Sequence, residues 1–250
     1  MSDIARIVKN IAFAVRKLKK YTSGINREFV AQLYLRGEGI EIGALQNSLH
    51  LPPNAHVRYV DRLPVEELQR QYPNIKPASM VPVDLVDDGE TLAKIAPGQL
   101  DFVIANHFIE HCQNPIGTLR NMLRVLKLGG VLYLAIPDKR YTFDCDRPLT
   151  TLEHLWRDDR EGPQESRFEH YLEFASLVNH IQGQDALQQN TTHLMEQGYS
   201  IHFHVWTAST FLEWLASIRQ SPGLGFEVEL LAQSDMEILV VLRKNIMIGK

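Results

Sequence analysis

The chain has 250 residues, with 26 Lys and Arg against 30 Asp and Glu, 44% hydrophobic residues and two cysteines. That length suits one large domain or a domain with an added lobe, and the ordinary apolar and charged fractions exclude disorder, collagen-like repeats and low complexity. Cys112 and Cys145 make neither a disulfide framework nor a Cys-x-x-Cys pair, a net charge of −4 argues against a nucleic-acid binder, and no run of about 18 apolar residues is present to span a membrane.

Residues 1–36 read as an N-terminal helical segment. Within its first twenty residues Arg6, Lys9, Arg16, Lys17, Lys19 and Lys20 face the single acid Asp3, and Ile4, Ile7, Val8, Ile11, Val15 and Leu18 recur at helical spacing. Such a basic amphipathic helix packs on its own domain with a solvated outer face. The alternative is that residues 1–20 lie on an anionic membrane surface or grip an acidic partner. The expected location is cytoplasmic, with the inner face of the membrane as the place for that contact. A second helix follows at 27–35. Apolar runs at 39–42, 57–60, 80–83, 100–105 and 131–136 then read as strands, separated by helix patterns at 65–71, 91–95 and 115–126. The last helix has Leu119, Met122, Leu123 and Leu126 on one face, with Gly129-Gly130 expected to close it. Strands buried on both faces and separated by helices imply an α/β, Rossmann-like, doubly wound, mostly parallel sheet. At the far end a helix over 209–218 precedes strand runs at 226–231 and 236–242. Only Ala232-Gln233-Ser234-Asp235 lies between them, too short for a crossover, so they form an antiparallel C-terminal hairpin. Between 138 and 206 the alternation stops in a stretch rich in charge, His and aromatic groups. It reads as an inserted lid or substrate lobe within a domain spanning 37–250, projecting from the carboxyl edge of the sheet.

Carboxylates punctuate the strand ends. Glu41-Ile42-Gly43-Ala44 follows the first strand, where glycine permits close backbone approach and the acid can accept from a hydroxyl or ammonium. Asp61, with Arg62 beside it, ends the second strand in the position of a ribose-binding acid. Asp84-Leu85 is expected to end the third, facing an adenine amino group. The fourth runs into Asn106-His107-Phe108-Ile109-Glu110-His111, followed by Asn114-Pro115, and the fifth into Pro137-Asp138. These pieces together resemble the class I S-adenosylmethionine-dependent methyltransferases, in the group with His-x-x-Glu-His after the fourth strand. The resemblance covers about 36–138 plus the terminal hairpin. It implies S-adenosylmethionine as cofactor, held by Glu41, Gly43, Ala44, Asp61, Arg62, Asp84, Leu85, Asn106 and His107. Family members usually have further glycines in the first turn, where this chain has Leu45-Gln46-Asn47-Ser48; Asn47, tolerant of left-handed backbone, is expected to stand in for one.

Methyl transfer to oxygen benefits from a general base. Position offers His107 and His111 after the fourth strand, Asp138 and Tyr141 after the fifth, and His204, with His202, at the end of the insertion. If extended, His202-Phe203-His204 would present both imidazoles on one face. His107–His111 also spells the inverted zinc-protease pattern, but it follows a buried strand rather than lying on a long helix. Ubiquinone-pathway and small-RNA 2′-O-methyltransferases resemble this segment and bind a divalent cation there, which leaves His107, Glu110 and His111 as a metal set and the question of metal open. The stretch Pro137–Asp144 with 147–155, and Phe203-His204-Val205-Trp206-Thr207, resembles methyltransferases encoded with bacterial surface-polysaccharide enzymes. The expectation is therefore O-methylation of a glycan or glycolipid intermediate, with no nucleic acid as partner. Two alternatives stand: a small-molecule or quinone-type methyltransferase with a divalent metal, and a non-catalytic cofactor-binding or scaffold protein retaining the fold.

Overall fold

The computed structural model describes residues 24–245. The chain begins with helix α1 (Arg27–Tyr34), then strands β1 (Gly37–Ile42) and β2 (Ala55–Asp61), helix α2 (Val65–Gln71), and strands β3 (Leu85–Val86) and β4 (Leu100–Asn106). Helix α3 (Pro115–Val125) leads directly into the long strand β5 (Leu126–Pro137). Helices α4 (Leu152–Glu161), α5 (Gln164–Leu177) and α6 (Gln184–Glu196) follow, then α7 (Ala208–Ile218), β6 (Phe226–Ser234) and β7 (Glu237–Lys244). The sheet order is β3-β2-β1-β4-β5-β7-β6. Pairing is parallel from β3 to β5, and β7 runs antiparallel between β5 and β6. The doubly wound, mostly parallel sheet with an antiparallel hairpin is thus as the sequence implies.

Helix packing explains why β4 and β5 are apolar on both faces. On one face, Leu119, Met122 and Leu123 of α3 and Phe211, Trp214 and Leu215 of α7 join Val103, Leu132, Leu134 and Val240 in the main core. On the other, Val30 and Ala31 of α1 cover Phe102, Ile104, Tyr133 and Val241. The two principal helices start on sequence-encoded caps. Asn114 accepts from Gly117 N at 2.8 Å with Pro115 in the first turn, and Thr207 and Thr210 form a capping box on α7. No helix among the described residues is long and apolar enough to cross a membrane. The basic pattern at residues 1–20 lies outside the described residues.

Several local expectations are corrected. The run 80–83 is not a strand; Pro82 within it lacks a ladder donor, and β3 is the two-residue pair Leu85–Val86. The 91–95 stretch is a series of turns, with Leu92 left-handed at φ 46°. Gly129-Gly130 does not close α3. The helix ends at Val125, and the glycines lie in an irregularity of β5, between the pairings Leu100–Leu126 and Phe102–Val131. The terminal hairpin turns on Asp235-Met236 alone, Asp235 being left-handed at φ 54°, so β7 starts at Glu237. The link between β1 and β2, residues 43–54, contains no helix.

The segment after β5 leaves the sheet and returns beside its own starting point. Asp138 bridges Trp206, and Lys139 N donates to the Trp206 carbonyl at 3.0 Å. Its helices carry a small core of their own, built from Tyr171, Phe174, Ala175, Leu194, Ile201 and Phe203.

Candidate active site

Two cavities open at the carboxyl edge of the sheet, and Gly43, Leu45 and His107 line both. The larger, about 820 Å³, is walled by Arg27 and Glu28 of α1, Glu41, residues 43–49, Asn106, Thr142 and residues 234–237 of the hairpin turn. The smaller, about 430 Å³, is lined by Asp61, Arg62, Asp88, Gly89, Phe108 and His111, and roofed by Arg167, Tyr171, Tyr199 and Phe203 of the inserted segment. Both sit where ligands lie in open α/β sheets, beyond the strand carboxyl ends.

The first turn is built differently from the expectation. Gly43 (φ 66°) and Leu45 (φ 49°) are left-handed, and Asn47 is not. Asn47 N instead donates to the Ala44 carbonyl at 2.8 Å, closing the turn. Glu41 is buried below it. Both carboxylate oxygens accept from Leu49 N at 3.1 Å, and Oε1 accepts from Asn106 Nδ2 at 3.3 Å. Burial pushes this carboxyl up to about 7 despite those hydrogen bonds. Asn106 Oδ1 is buried with no hydrogen-bond partner, beside the larger cavity.

Asp61 ends β2 with Oδ1 accepting from Arg62 N at 2.8 Å, and burial raises its pKa. Asp84 does not take the expected place. It precedes β3, accepts from Tyr59 N at 2.8 Å, and lines neither cavity; Leu85 packs against the main core. Because β3 begins at Leu85, five residues later than the expected run, Asp88 and Gly89 follow its end and line the smaller cavity instead. A Cβ at Gly89 would stand 2.6 Å from both Ile42 Cγ2 and Phe108 Cζ, so only glycine lets this loop close against the cavity wall.

His107 stands at the junction, itself left-handed at φ 49°. Its Nε2 lies 2.9 Å from Glu237 Oε2, and its Nδ1 lies 3.4 Å from Oε1 of the fully buried Glu110. Arg27 Nε donates to the other Glu237 oxygen at 2.8 Å. Burial alone would lower the His107 pKa, but the hydrogen bonds to Glu110 and Glu237 override it and raise the group to about 9. In Glu237 burial likewise opposes ionisation, and His107 and Arg27 outweigh it, holding the carboxyl at about 2. His107 is therefore an imidazolium at neutral pH, with both ring nitrogens engaged. Of the metal set His107, Glu110 and His111, the last two group with His202, and His107 is directed to Glu110 and Glu237 outside that group.

His111 differs. Its Nδ1 lies 2.8 Å from the Ile201 carbonyl, and burial lowers its pKa, so it stays neutral with Nε2 as the acceptor nitrogen. The remaining catalytic candidates line neither cavity. Asp138 is buried, caps the turn Lys139–Tyr141 and pairs with Arg140 at 2.6 Å. Tyr141 is half exposed, with the Arg140 guanidinium 5.3 Å from its ring centre. His204 is fully buried among His154, Asp158 and His170, whereas His202 pairs through Nδ1 with Asp144 at 2.7 Å, so the two imidazoles join separate clusters. Trp206 stacks on Trp214 in the core and offers no face to a sugar.

Arg27, Glu237 and the lobe residues Arg167, Tyr171 and Tyr199 were not foreseen from the sequence. They carry no local motif and arrive from up to 210 positions away. Asp88-Gly89 did carry a signal, an acid-glycine pair after an apolar run, masked by the misplaced third strand.

A family model described as "Methyltransferase domain" matches residues 23–218. No curated protein matches the chain. Among solved structures it is similar to a SAM-dependent methyltransferase from Thermotoga maritima (15% identity, 96% of this chain and 97% of that one, TM-score 0.47). A SAM-dependent methyltransferase from Methanosarcina mazei matches at 13% identity over 86% of this chain and 96% of that one, TM-score 0.46. The carbon methyltransferase CurJ matches at 13% identity, TM-score 0.44; the hit covers 85% of this chain, which spans half of the other's length. None reaches a TM-score of 0.5, so the fold assignment rests on strand order and family membership on the matched model.

Proposed function

Because the chain belongs to the methyltransferase-domain family and is an S-adenosylmethionine-dependent methyltransferase, we propose that it methylates a hydroxyl oxygen of a glycan or glycolipid intermediate. The observation that carries the site assignment is the meeting of two cavities at Gly43, Leu45 and His107. The residues present fit the cofactor. Asp61 would accept from the ribose hydroxyls, and the Asp88-Gly89 loop with Phe108 would flank the base. Glu41 and the unpartnered Asn106 Oδ1 would receive the ammonium. When bound, the cofactor supplies a methyl group on a sulfonium, ready for in-line displacement.

The larger cavity, which holds Glu41 and Asn106, then takes the methionine end of the cofactor and the acceptor beside it. Its walls present the carboxylates Glu28, Glu41, Asp235 and Glu237 against Arg27 and His107, and the polar Asn47, Ser48, Asn106, Thr142 and Ser234 beside the apolar Ala44, Leu45, Leu49 and Met236. That lining suits a polyhydroxylated acceptor, and its acidic excess favours a cationic methyl donor. His107, already protonated and tied to Glu237, orients rather than abstracts a proton. The neutral His111 lines the smaller cavity, on the cofactor side, and offers its Nε2 there as a hydrogen-bond acceptor. Isothermal titration with S-adenosylhomocysteine tests the cofactor assignment. Binding should be weakened by Asp61→Ala by roughly 10-fold or more, the size of one lost charge-assisted hydrogen bond, while Asp84→Ala should leave it unchanged. Absence of binding to the wild type overturns the assignment. Screening hydroxylated sugar acceptors for a methyl mass gain tests the acceptor class.

A further inference from the structure

A cluster of nitrogen and oxygen donors lies in the inserted segment, away from both cavities. His154 and Asp158 sit one turn apart on α4, His170 comes from α5, and His204 comes from the segment returning to the sheet. One ligand-type atom from each lies within 4.8 Å of all the others. His154 Nε2 is 2.9 Å from His170 Nε2 and 3.1 Å from Asp158 Oδ2, and His204 Nε2 is 3.9 Å from the same oxygen. Asp158 and His204 are fully buried. We propose that these four side chains form a binding site for a divalent cation of the Zn²⁺ type, which staples the inserted segment to itself and to the sheet.

Three arguments carry the site. Three imidazoles and one carboxylate converging on a point make a four-donor set of groups that zinc accepts, with the coordination number of closed zinc sites, and the edges between donors suit a tetrahedron with bonds of about 2.0–2.2 Å. The cluster is also poorly satisfied without a cation: Asp158 Oδ2 meets only the imidazole nitrogens of His154 and His204, without good hydrogen-bond geometry, and His204 has a long 3.4 Å contact from Nε2 to the Gln113 carbonyl and no partner for Nδ1. Finally, Asp158 is already oriented. Ser166 Oγ donates to its other oxygen, Oδ1, at 2.7 Å, the outer-shell support that ligating carboxylates generally have. Two contacts must change, the first being the 3.4 Å contact of His204 Nε2 with the Gln113 carbonyl, which cation binding at that nitrogen releases. Arg157 Nη2 lies 3.0 Å from His154 Nδ1, which as an acceptor leaves the proton on Nε2. Cation binding at Nε2 moves that proton to Nδ1 and turns Arg157 toward Glu169, whose Oε2 is 3.7 Å away.

The other donor group, Glu110, His111 and His202, serves as the internal control, because it offers three donors rather than four and its imidazoles are held through Nδ1 by the Ile201 carbonyl and by Asp144. The test is Zn²⁺ titration of the full chain, prepared without a metal-affinity tag and stripped with chelator, against a chromophoric competitor. One equivalent should bind, raise the thermal midpoint, and give an X-ray absorption spectrum of nitrogen and oxygen neighbours with no sulfur. Asp158→Asn and His154→Gln should weaken binding beyond the about 10–100-fold typical of outer-shell changes. His111→Gln should not, and Arg157→Ala should bind at least as tightly as the wild type. If His170 or His204 variants fail to fold, the wild-type stoichiometry and spectrum still decide. No Zn²⁺ uptake by the folded wild type, sulfur in the spectrum, or wild-type affinity in Asp158→Asn and His154→Gln overturns the site.

Discussion

At the residue scale, Glu41 couples the site to pH. Its carboxyl, ordinarily near 4.5, is held at about 7 by burial. The folded state therefore keeps a proton that the unfolded chain releases between those two values. Stability contributed by this group falls as pH rises from about 4.5 to 7, since the native state binds more protons in that window. Ligand binding has the opposite sign: a cationic ammonium favours the ionised carboxylate. Affinity for S-adenosylhomocysteine should be ~10-fold weaker at pH 6 than at pH 8, and Glu41→Gln should flatten that dependence. Calorimetry in buffers of different ionisation enthalpy reads both the affinity and the released proton. The sequence made Glu41 legible as an acid before a glycine turn, but not its burial, which follows from Leu49 folding back over it. It also pointed to Asn47 for the left-handed position that Leu45 takes. No propensity scale favours leucine there; the turn is set by the Asn47 N to Ala44 hydrogen bond and by Val81 N donating to the Leu45 carbonyl at 2.8 Å.

At the scale of elements, the long buried runs of β4 and β5 and the capped, one-faced pattern of α3 declared themselves in the sequence. The short β3 did not. Two residues give no periodicity, and the neighbouring apolar run around Pro82 drew the strand too early, carrying the adenine-facing acid with it to Asp84. The inserted segment shows the same limit. Its helices could be anticipated, but not what pins them. Arg147 is buried and donates to Asp144 Oδ1 at 2.8 Å, Glu173 Oε1 at 2.7 Å and the carbonyls of His202 and Phe203. It thereby ties the start of the insertion to α5 and to its returning strand-like end. Replacing it with Leu leaves Asp144 buried and without its guanidinium, and should cost about 3–5 kcal/mol in urea unfolding. The loss should appear first as faster amide exchange across 144–205.

For the whole molecule, the β6–β7 hairpin does more than finish the sheet. By threading β7 between β5 and β6 it delivers Glu237 to His107, 130 positions earlier, while α1 brings Arg27 to the same carboxylate. The site is thus closed by elements from both ends of the described chain. Sequence patterns fix strands and helices one at a time and carry no trace of such a meeting; only the sheet order reveals it. The two cysteines, which opened the sequence reading as too few for a disulfide framework, acquire a practical use from their placement. Cys112 is buried, and burial raises its thiol well above the ordinary value, whereas Cys145 is exposed. A maleimide dye at near-neutral pH should therefore attach once per chain, at Cys145, as intact-mass measurement will show; two dyes on folded protein would contradict the burial of Cys112. That one natural attachment point lies three residues beyond Thr142 on the wall of the larger cavity. The wild-type protein comes ready fitted with a fluorescent reporter position for the arrival of an acceptor, without a single engineered substitution.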